Sequence, residues 1–225
     1  MEKAAVIVAG GTGTRMGTET PKQFLELHGR PVVAHTMDAF FAAFPDIQII
    51  LVLPDSYLEE GHHIISKYFP GKPVIVTSGG KTRFDSVKNG LYLVKEPSVV
   101  FVHDAVRCLV SPSLIRDCYE AALIHGSAIP VIPVKDSIRR IHGNGSEVVN
   151  REQLRAVQTP QTFLSEILLP AFLAGYQDSF TDEATVVEHN GDKVHLVTGE
   201  ETNIKITVQA DLDFARRVIG KQLNA

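Results

Sequence analysis

The stretch Val8–Phe24, VAGGTGTRMGTETPKQF, sets Gly10, Gly11 and Gly13 beside Arg15 and Lys22 directly after an apolar run. Glycines let backbone amides approach an anion closely. Arginine adds a fork of donors, and lysine a compact charge. A dinucleotide, a nucleoside triphosphate and a structural turn with solvated charges are the candidates. A dinucleotide loop requires G-x-G-x-x-G and an acid about 20 residues further on. Here Met16 holds the third glycine position, and Asp55, the acid after the second strand candidate, is roughly twice too distant. The G-x-x-x-x-G-K-[ST] phosphate loop is absent as well. A nucleoside triphosphate gripped by Arg15 and Lys22 fits best. Attack at phosphorus gathers charge on the equatorial oxygens, so fixed cations there favour the transition state over the ground state. Pro21 restrains the chain just before Lys22.

Further residues with chemical potential lie downstream. Asp104 and Arg107, in VHDAVR, close an apolar run; Asp104 reads either as a ligand-edge carboxylate or as an ion-pair partner. Gly79-Gly80, in GGKTRFDSV, is a second glycine turn between a strand and a helix candidate. Lys205, in NIKIT, alternates with Ile204 and Ile206 and should point opposite to both. The nine histidines show no metal-ligand spacing, and His103 reads as a packed or hydrogen-bonded side chain.

These residues need a scaffold that gathers strand ends. Strands are expected at Ala4–Ala9, Ile47–Leu53, Val74–Thr77, Val99–His103 and Ala128–Val134, near-continuous apolar runs of the kind buried on both faces. Helices are expected after Pro31, with Val33, Met37, Phe40 and Phe44 on one face, and over Ser56–Tyr68 and Thr82–Val94. Another runs from the Ser111-Pro112 cap to about Ala122. The pattern predicts a Rossmann-like, doubly wound α/β fold with a mostly parallel sheet and ligands at the carboxyl edge. The alternation stops after Val134. There, Gly143–Gly145 separates the strand-like pieces Ser137–Ile141 and Glu147–Asn150, which predicts a hairpin whose Asn-Gly supplies the positive φ angles. A lone hairpin is marginal in water, so a second copy of the chain is its expected support. Leu212, Ala215, Ile219 and Leu223 have the spacing of a closing helix.

A chain of 225 residues with 44% hydrophobic and 21% charged residues suits one domain, 1–225. The net charge of −4 argues against nucleic-acid or membrane-surface binding. Two cysteines without metal spacing, no apolar run of about 18 residues and no signal-peptide shape point to a cytoplasmic protein.

The segments AGGTGTRM, TPKQFLELHGRPV, GGKTRFDSV, VHDAVR, NREQLRAVQTPQTF, TDEA and NIKIT stand in the order found in 2-C-methyl-D-erythritol 4-phosphate cytidylyltransferases. The chain resembles that family over nearly its whole length. The resemblance implies a nucleotidyltransferase fold with a projecting β-arm at about 136–158, a homodimer built through that arm, and cytidine triphosphate (CTP), a sugar-alcohol phosphate and Mg2+ as partners. It further implies that Arg15 and Lys22 stabilise the transition state, while Ala9, Gly10, Gly11, Gly13, Gly80 and Ser86 hold the nucleotide. Asp104, Arg107, Ser137, Arg151, Thr159, Thr181 and Lys205 would hold the second substrate. Arg151 and Ser137 would do so from the arm into the partner's site, with Arg151 and Lys205 positioning the attack and Asp104 helping to place the metal. Gly10, Lys81, Ser137 and Cys108 depart from residues common in relatives. Ribitol-5-phosphate cytidylyltransferases share several of these segments, and a non-catalytic nucleotide-binding module is the remaining alternative.

Overall fold

The computed structural model describes residues 1–10 and 20–223. Gly11, Gly13 and Arg15 therefore lie outside the described residues.

The centre is a parallel ladder of β1 (Glu2–Val8), β4 (Gln48–Leu53), β5 (Val74–Ser78) and β6 (Ser98–Asp104). Between β1 and β4, a short ribbon of β2 (Glu26–Leu27) and β3 (Arg30–Pro31) turns through His28 (φ +48°) and Gly29 (φ +75°). Two positive φ angles in succession match the tight turn that suits strand twist. The ribbon feeds α1 (Val32–Ala43).

Along β1, β4 and β6 the side chains alternate between two cores, as a two-residue period requires. Ile7, Leu51 and Phe101 face a layer formed by α1, α2 (Leu58–Tyr68) and α4 (Pro112–His125). Val6, Val52 and Val102 face the opposite layer, formed by α3 (Arg83–Leu91), α5 (Ser165–Ala171) and α6 (Glu183–His189). Burial on both faces explains why these strands read as unbroken apolar runs. The final helix, α7 (Gln209–Leu223), packs Leu212, Ala215 and Ile219 over Leu27, Val32 and Val106.

Beyond β6 the topology departs from the simple parallel expectation. β7 (Ser127–Pro133) does not neighbour β6; β11 (Gln161–Leu164) lies between them, antiparallel to both. β10 (Arg155–Val157) and β12 (Leu196–Thr198) complete an eight-stranded sheet on β7. These three strands have three or four residues each, too few for a period to emerge from the sequence.

The hairpin forms as a separate two-stranded sheet, β8 (Ile138–His142) with β9 (Gly145–Val149). Its turn differs from the expected one. The central pair is Gly143-Asn144, and the positive φ falls on Gly143 (+49°), the first central position. Glycine adopts that geometry without strain, so Asn144 need not. Ile141 and Val148 are each 74% exposed on this hairpin.

Candidate active site

The sheet register gathers the reactive residues. Val8 pairs with Asp104 and with Val52, and Leu53 with Ser78, so four parallel strands end level. The ladder continues briefly past the strands: Ala9 N–H donates to Val52 O (2.9 Å), Gly79 N–H to Leu53 O (2.7 Å) and Ala105 N–H to Val8 O (3.0 Å). A cavity of about 310 Å³ opens at this carboxyl edge. Among the described residues its lining includes Ala9, Gly10, Lys22, Gly80, Ser86, Asp104 and Lys205, all candidates from the sequence. Lys81 and Arg83 also line it, so that among the described residues four cationic side chains stand against the carboxylate of Asp104. A chain of net charge −4 thus concentrates positive charge at one edge, which suits a polyanion.

Lys22 begins a single 3-10 turn, Lys22–Phe24, after Pro21. Gln23, 1% exposed, donates from Nε2 to Ala9 O at 2.8 Å and ties this turn to the end of β1. With Gln23 and Phe24 buried, Lys22 is held at the cavity wall.

The Gly79-Gly80 turn connects β5 to α3. Thr82 caps the helix, accepting from Asp85 N–H (3.1 Å) while its own N–H donates to Asp85 Oδ2 (3.2 Å). Ser86 Oγ accepts from Gly80 N–H (3.0 Å) and donates to Thr82 O (2.9 Å). A Cβ on Gly80 would stand 2.2 Å from Asp85 Cβ, so this close approach admits only glycine.

Asp104 is the electrostatic hub. Oδ2 meets Lys205 Nζ at 3.1 Å and Arg107 Nε at 3.3 Å; Oδ1 faces Arg83 Nε at 3.7 Å. Burial opposes ionisation of this carboxyl, but Arg83, Lys205 and Arg107 outweigh it and hold it well below the usual carboxylate range. Behind it runs a short chain of hydrogen bonds. Asp104 N–H donates to Thr159 Oγ1 (3.1 Å), whose hydroxyl lies 3.0 Å from His103 Nδ1. His103 Nε2 lies 3.2 Å from Arg107 O, a pure acceptor, so Nε2 carries the proton and the Thr159 hydroxyl donates to Nδ1. Burial pushes His103 down to about 4, which keeps it neutral at pH 7. Thr159 therefore supports Asp104 from beneath and does not line the cavity.

Lys205 reaches the site from 203–207, which is irregular backbone and not a strand. The expected directions nevertheless appear: Ile206 is fully buried, and Lys205 is turned out toward Asp104. The segment is fastened by Asn203 and Gln158, which the sequence did not single out, and by Arg107, which it did. Asn203 Nδ2 donates to Thr159 O (2.9 Å), Gln158 Nε2 to Glu200 O (2.7 Å) and Arg107 Nη1 to Asn203 O (2.8 Å). Arg107 thus braces Asp104 and Asn203 outside the cavity lining.

Arg83 and Glu183 were missed as well. Arg83 grips Glu183 with both terminal nitrogens, Nη1 to Oε1 and Nη2 to Oε2 at 3.0 Å. Burial works against the guanidinium charge, and Glu183 and Asp104 more than compensate, raising its pKa. Both residues stood within quoted segments, GGKTRFDSV and TDEA, but a separation of 100 positions hid the pairing.

Ser137, Arg151 and Thr181 do not line the cavity of their own chain. Ser137 and Arg151 flank the hairpin, where Arg151 donates to Lys135 O. Thr181 precedes α6 and shares a small cleft with Arg83 and Glu183.

Among the described residues no cluster of three or more His, Cys, Asp or Glu could hold a metal. A divalent ion is still compatible with this edge. Among the described residues the ion-pair contact of Asp104 Oδ1 is the longer one to Arg83, and magnesium takes most of its ligands from phosphates and water. No helix among the described residues is long and apolar enough to cross a membrane.

The family model of 2-C-methyl-D-erythritol 4-phosphate cytidylyltransferase matches residues 3–221. The chain belongs to this family. It is accordingly an enzyme, a nucleotidyltransferase. A cytidylyltransferase of this name from Bacteroides thetaiotaomicron is 45% identical over 219 residues, covering 97% of this chain and all of the relative. One from Phocaeicola vulgatus is also 45% identical with the same coverage. Among solved structures, the 4-diphosphocytidyl-2C-methyl-D-erythritol synthase of Anaerococcus prevotii superposes with a TM-score of 0.83 at 28% identity, covering 97% of this chain and 96% of its own. The cytidylyltransferase of Thermus thermophilus gives 0.76 at 34% identity, covering 97% and 98%. The fold is thus the α/β nucleotidyltransferase fold of the family.

Proposed function

We propose that the chain transfers the cytidylyl group of CTP to 2-C-methyl-D-erythritol 4-phosphate, releasing pyrophosphate and giving 4-diphosphocytidyl-2-C-methyl-D-erythritol for isoprenoid synthesis. Family membership over 3–221 supports the reaction, and the cationic cavity at the carboxyl edge supports where it happens. The observation that carries the reading is the convergence of Lys22, Asp104 and Lys205 on that cavity with Gly80 and Ser86.

In this reading the nucleotide lies against Ala9, Gly10, Gly80 and Ser86, where main-chain groups read cytosine. An oxygen of the 4-phosphate, already ionised at pH 7, attacks the α-phosphorus. That new P–O bond forms as the bond to the β-phosphate breaks, and pyrophosphate leaves with the electron pair. Lys22 stabilises the charge that builds on the α-phosphate oxygens, and Arg15 does the same from outside the described residues. Lys205, oriented by Asp104 Oδ2, positions the acceptor, so catalysis is alignment plus charge stabilisation. Bound magnesium would neutralise phosphate oxygens, and Asp104 is the residue that would hold it.

The acceptor's phosphate is assigned to Arg151 and Ser137, supplied by the arm of a second copy. Their position beside the exposed hairpin, away from the cavity of their own chain, supports a homodimer. Two free, buried cysteines, with thiols pushed up to about 12 by burial, suit a reducing cytoplasm.

Pyrophosphate release is measured with CTP and magnesium, offering methylerythritol 4-phosphate and ribitol 5-phosphate in parallel, with and without chelator. Release with the first acceptor, abolished by chelator, is expected. Preference for ribitol 5-phosphate contradicts the acceptor, and binding of CTP without turnover contradicts catalysis.

A further inference from the structure

Glu183 is 1% exposed and carries a carboxylate, and among the described residues lining the cavity its hydrogen-bond partner is Arg83. Such a group needs a partner, and the structure gives it the forked side of one guanidinium. The third nitrogen, Nε, is left facing Asp104 Oδ1. One planar group therefore spans a buried carboxylate and the cavity carboxylate, with its rotation fixed by two parallel hydrogen bonds.

The platform behind Glu183 is tied to the strand that carries Asp104. β11 pairs with β6, matching Gln161 to Val102. Gln161 then reaches the start of α6 with both ends of its amide: Oε1 accepts from Ala184 N–H (2.8 Å), and Nε2 donates to Asp182 Oδ2 (2.9 Å). Asp182 caps α6 by accepting from Thr185 N–H (3.0 Å). On the other side Phe84, next to Arg83, stacks on Phe172 (4.8 Å between centroids) and Phe180 (5.7 Å), holding α3 against the same layer. Both ends of the Arg83–Glu183 pair are thus anchored to rigid elements.

We propose that Arg83 and Glu183 are positioning residues for the transfer: Glu183 fixes the guanidinium, and the guanidinium fixes the carboxylate plane of Asp104. Arg83 Nε faces the Oδ1 side at 3.7 Å, an ion-pair contact longer than a hydrogen bond, while Lys205 and Arg107 hold Oδ2. Lysine at position 83 could not replace this function, because an ammonium cannot hold both carboxylates in one plane. This inference rests on the reading of Asp104 and Lys205 as substrate-handling residues and extends it to side chains behind them.

The test is a double-mutant cycle on steady-state turnover, combining Glu183→Gln with Asp104→Asn. Glu183 and Asp104 share Arg83 as their link, so coupling between them reports that link. Alone, Glu183→Gln is expected to lower kcat/KM for the sugar phosphate about 10-fold, with thermal unfolding confirming a folded enzyme. In the Asp104→Asn background the same change is expected to cost less than about 2-fold. Equal losses in both backgrounds overturn the inference, as does wild-type turnover in folded Glu183→Gln. Should Glu183→Gln not fold, Arg83→Lys enters the same cycle with the same two outcomes. Full activity of Asp104→Asn alone would remove the underlying site reading, and this inference with it, so the two failures are told apart.

Discussion

A carboxylate flanked by Arg83, Arg107 and Lys205 stays ionised through neutral pH, so Asp104 acts as a fixed negative charge and not as a proton acceptor. The same neighbourhood holds a titration that can be measured. His103 is fully buried and neutral, with its pKa depressed from 6.5 to about 4. A depressed folded value means stability is complete above pH 6.5 and is lost as pH falls from there toward 4, because only the unfolded chain takes up the proton. Between pH 7 and 5 this amounts to about 2 kcal/mol. Urea unfolding of His103→Gln should accordingly show a smaller drop in stability between pH 7 and 5 than wild type, by roughly that amount. Parallel drops in the two proteins would contradict the assignment. Gly80 supports a second residue-scale prediction. A methyl at Gly80 collides with Asp85, including its backbone, so Gly80→Ala should cost about 1–3 kcal/mol and weaken CTP binding. Gly175→Ala, whose Cβ would meet nothing within 4 Å, is the control expected to change neither. Equal behaviour of the two variants in calorimetric unfolding and CTP titration would count against the tight turn.

Among the described elements, the β8–β9 hairpin stands as a sheet of its own with apolar side chains exposed. Ile141 and Val148 lie open to solvent on two strands that pair only with each other. An isolated ribbon gains little by itself, and contact with another copy is the support proposed for it. Arg151→Ala should raise the KM for the sugar phosphate while leaving the KM for CTP and the unfolding temperature near wild type. An unchanged sugar-phosphate KM would remove the arm from the site. Ile141→Asp, followed by sedimentation, separately tests whether the arm holds the dimer. A shift to monomer is expected, and an unaltered dimer contradicts that role.

Across the whole molecule, the long parallel strands and the helices between them were legible because burial on both faces writes unbroken apolar runs such as VVFVH. Placement of the antiparallel β11 between β6 and β7 was not legible. Its four residues, QTFL, carry too short a pattern, and their role depends on a hairpin excursion between β7 and β11. Ser86 and the substrate role of Lys205 came from the family resemblance, whereas Lys22, Gly80 and Asp104 could be singled out because glycine turns and charges at strand ends are unusual and local. Gln23, Arg83, Gln158, Glu183 and Asn203 could not. Each matters through a partner distant in sequence, and a buried glutamate or asparagine looks no different from a surface one until the fold assembles. Lys205 shows the intermediate case: alternation predicted its direction correctly, although the segment is irregular backbone and not a strand.

The central claim is that fixed cations at the carboxyl edge stabilise a phosphoryl centre during its displacement, and Lys22 is the described residue that tests it most directly. The measurement is kcat for pyrophosphate release by Lys22→Ala at saturating CTP and methylerythritol 4-phosphate, with thermal unfolding to establish that the variant is folded. A folded variant slowed by about 10²–10³ is the predicted result. Turnover within a few-fold of wild type would contradict the account.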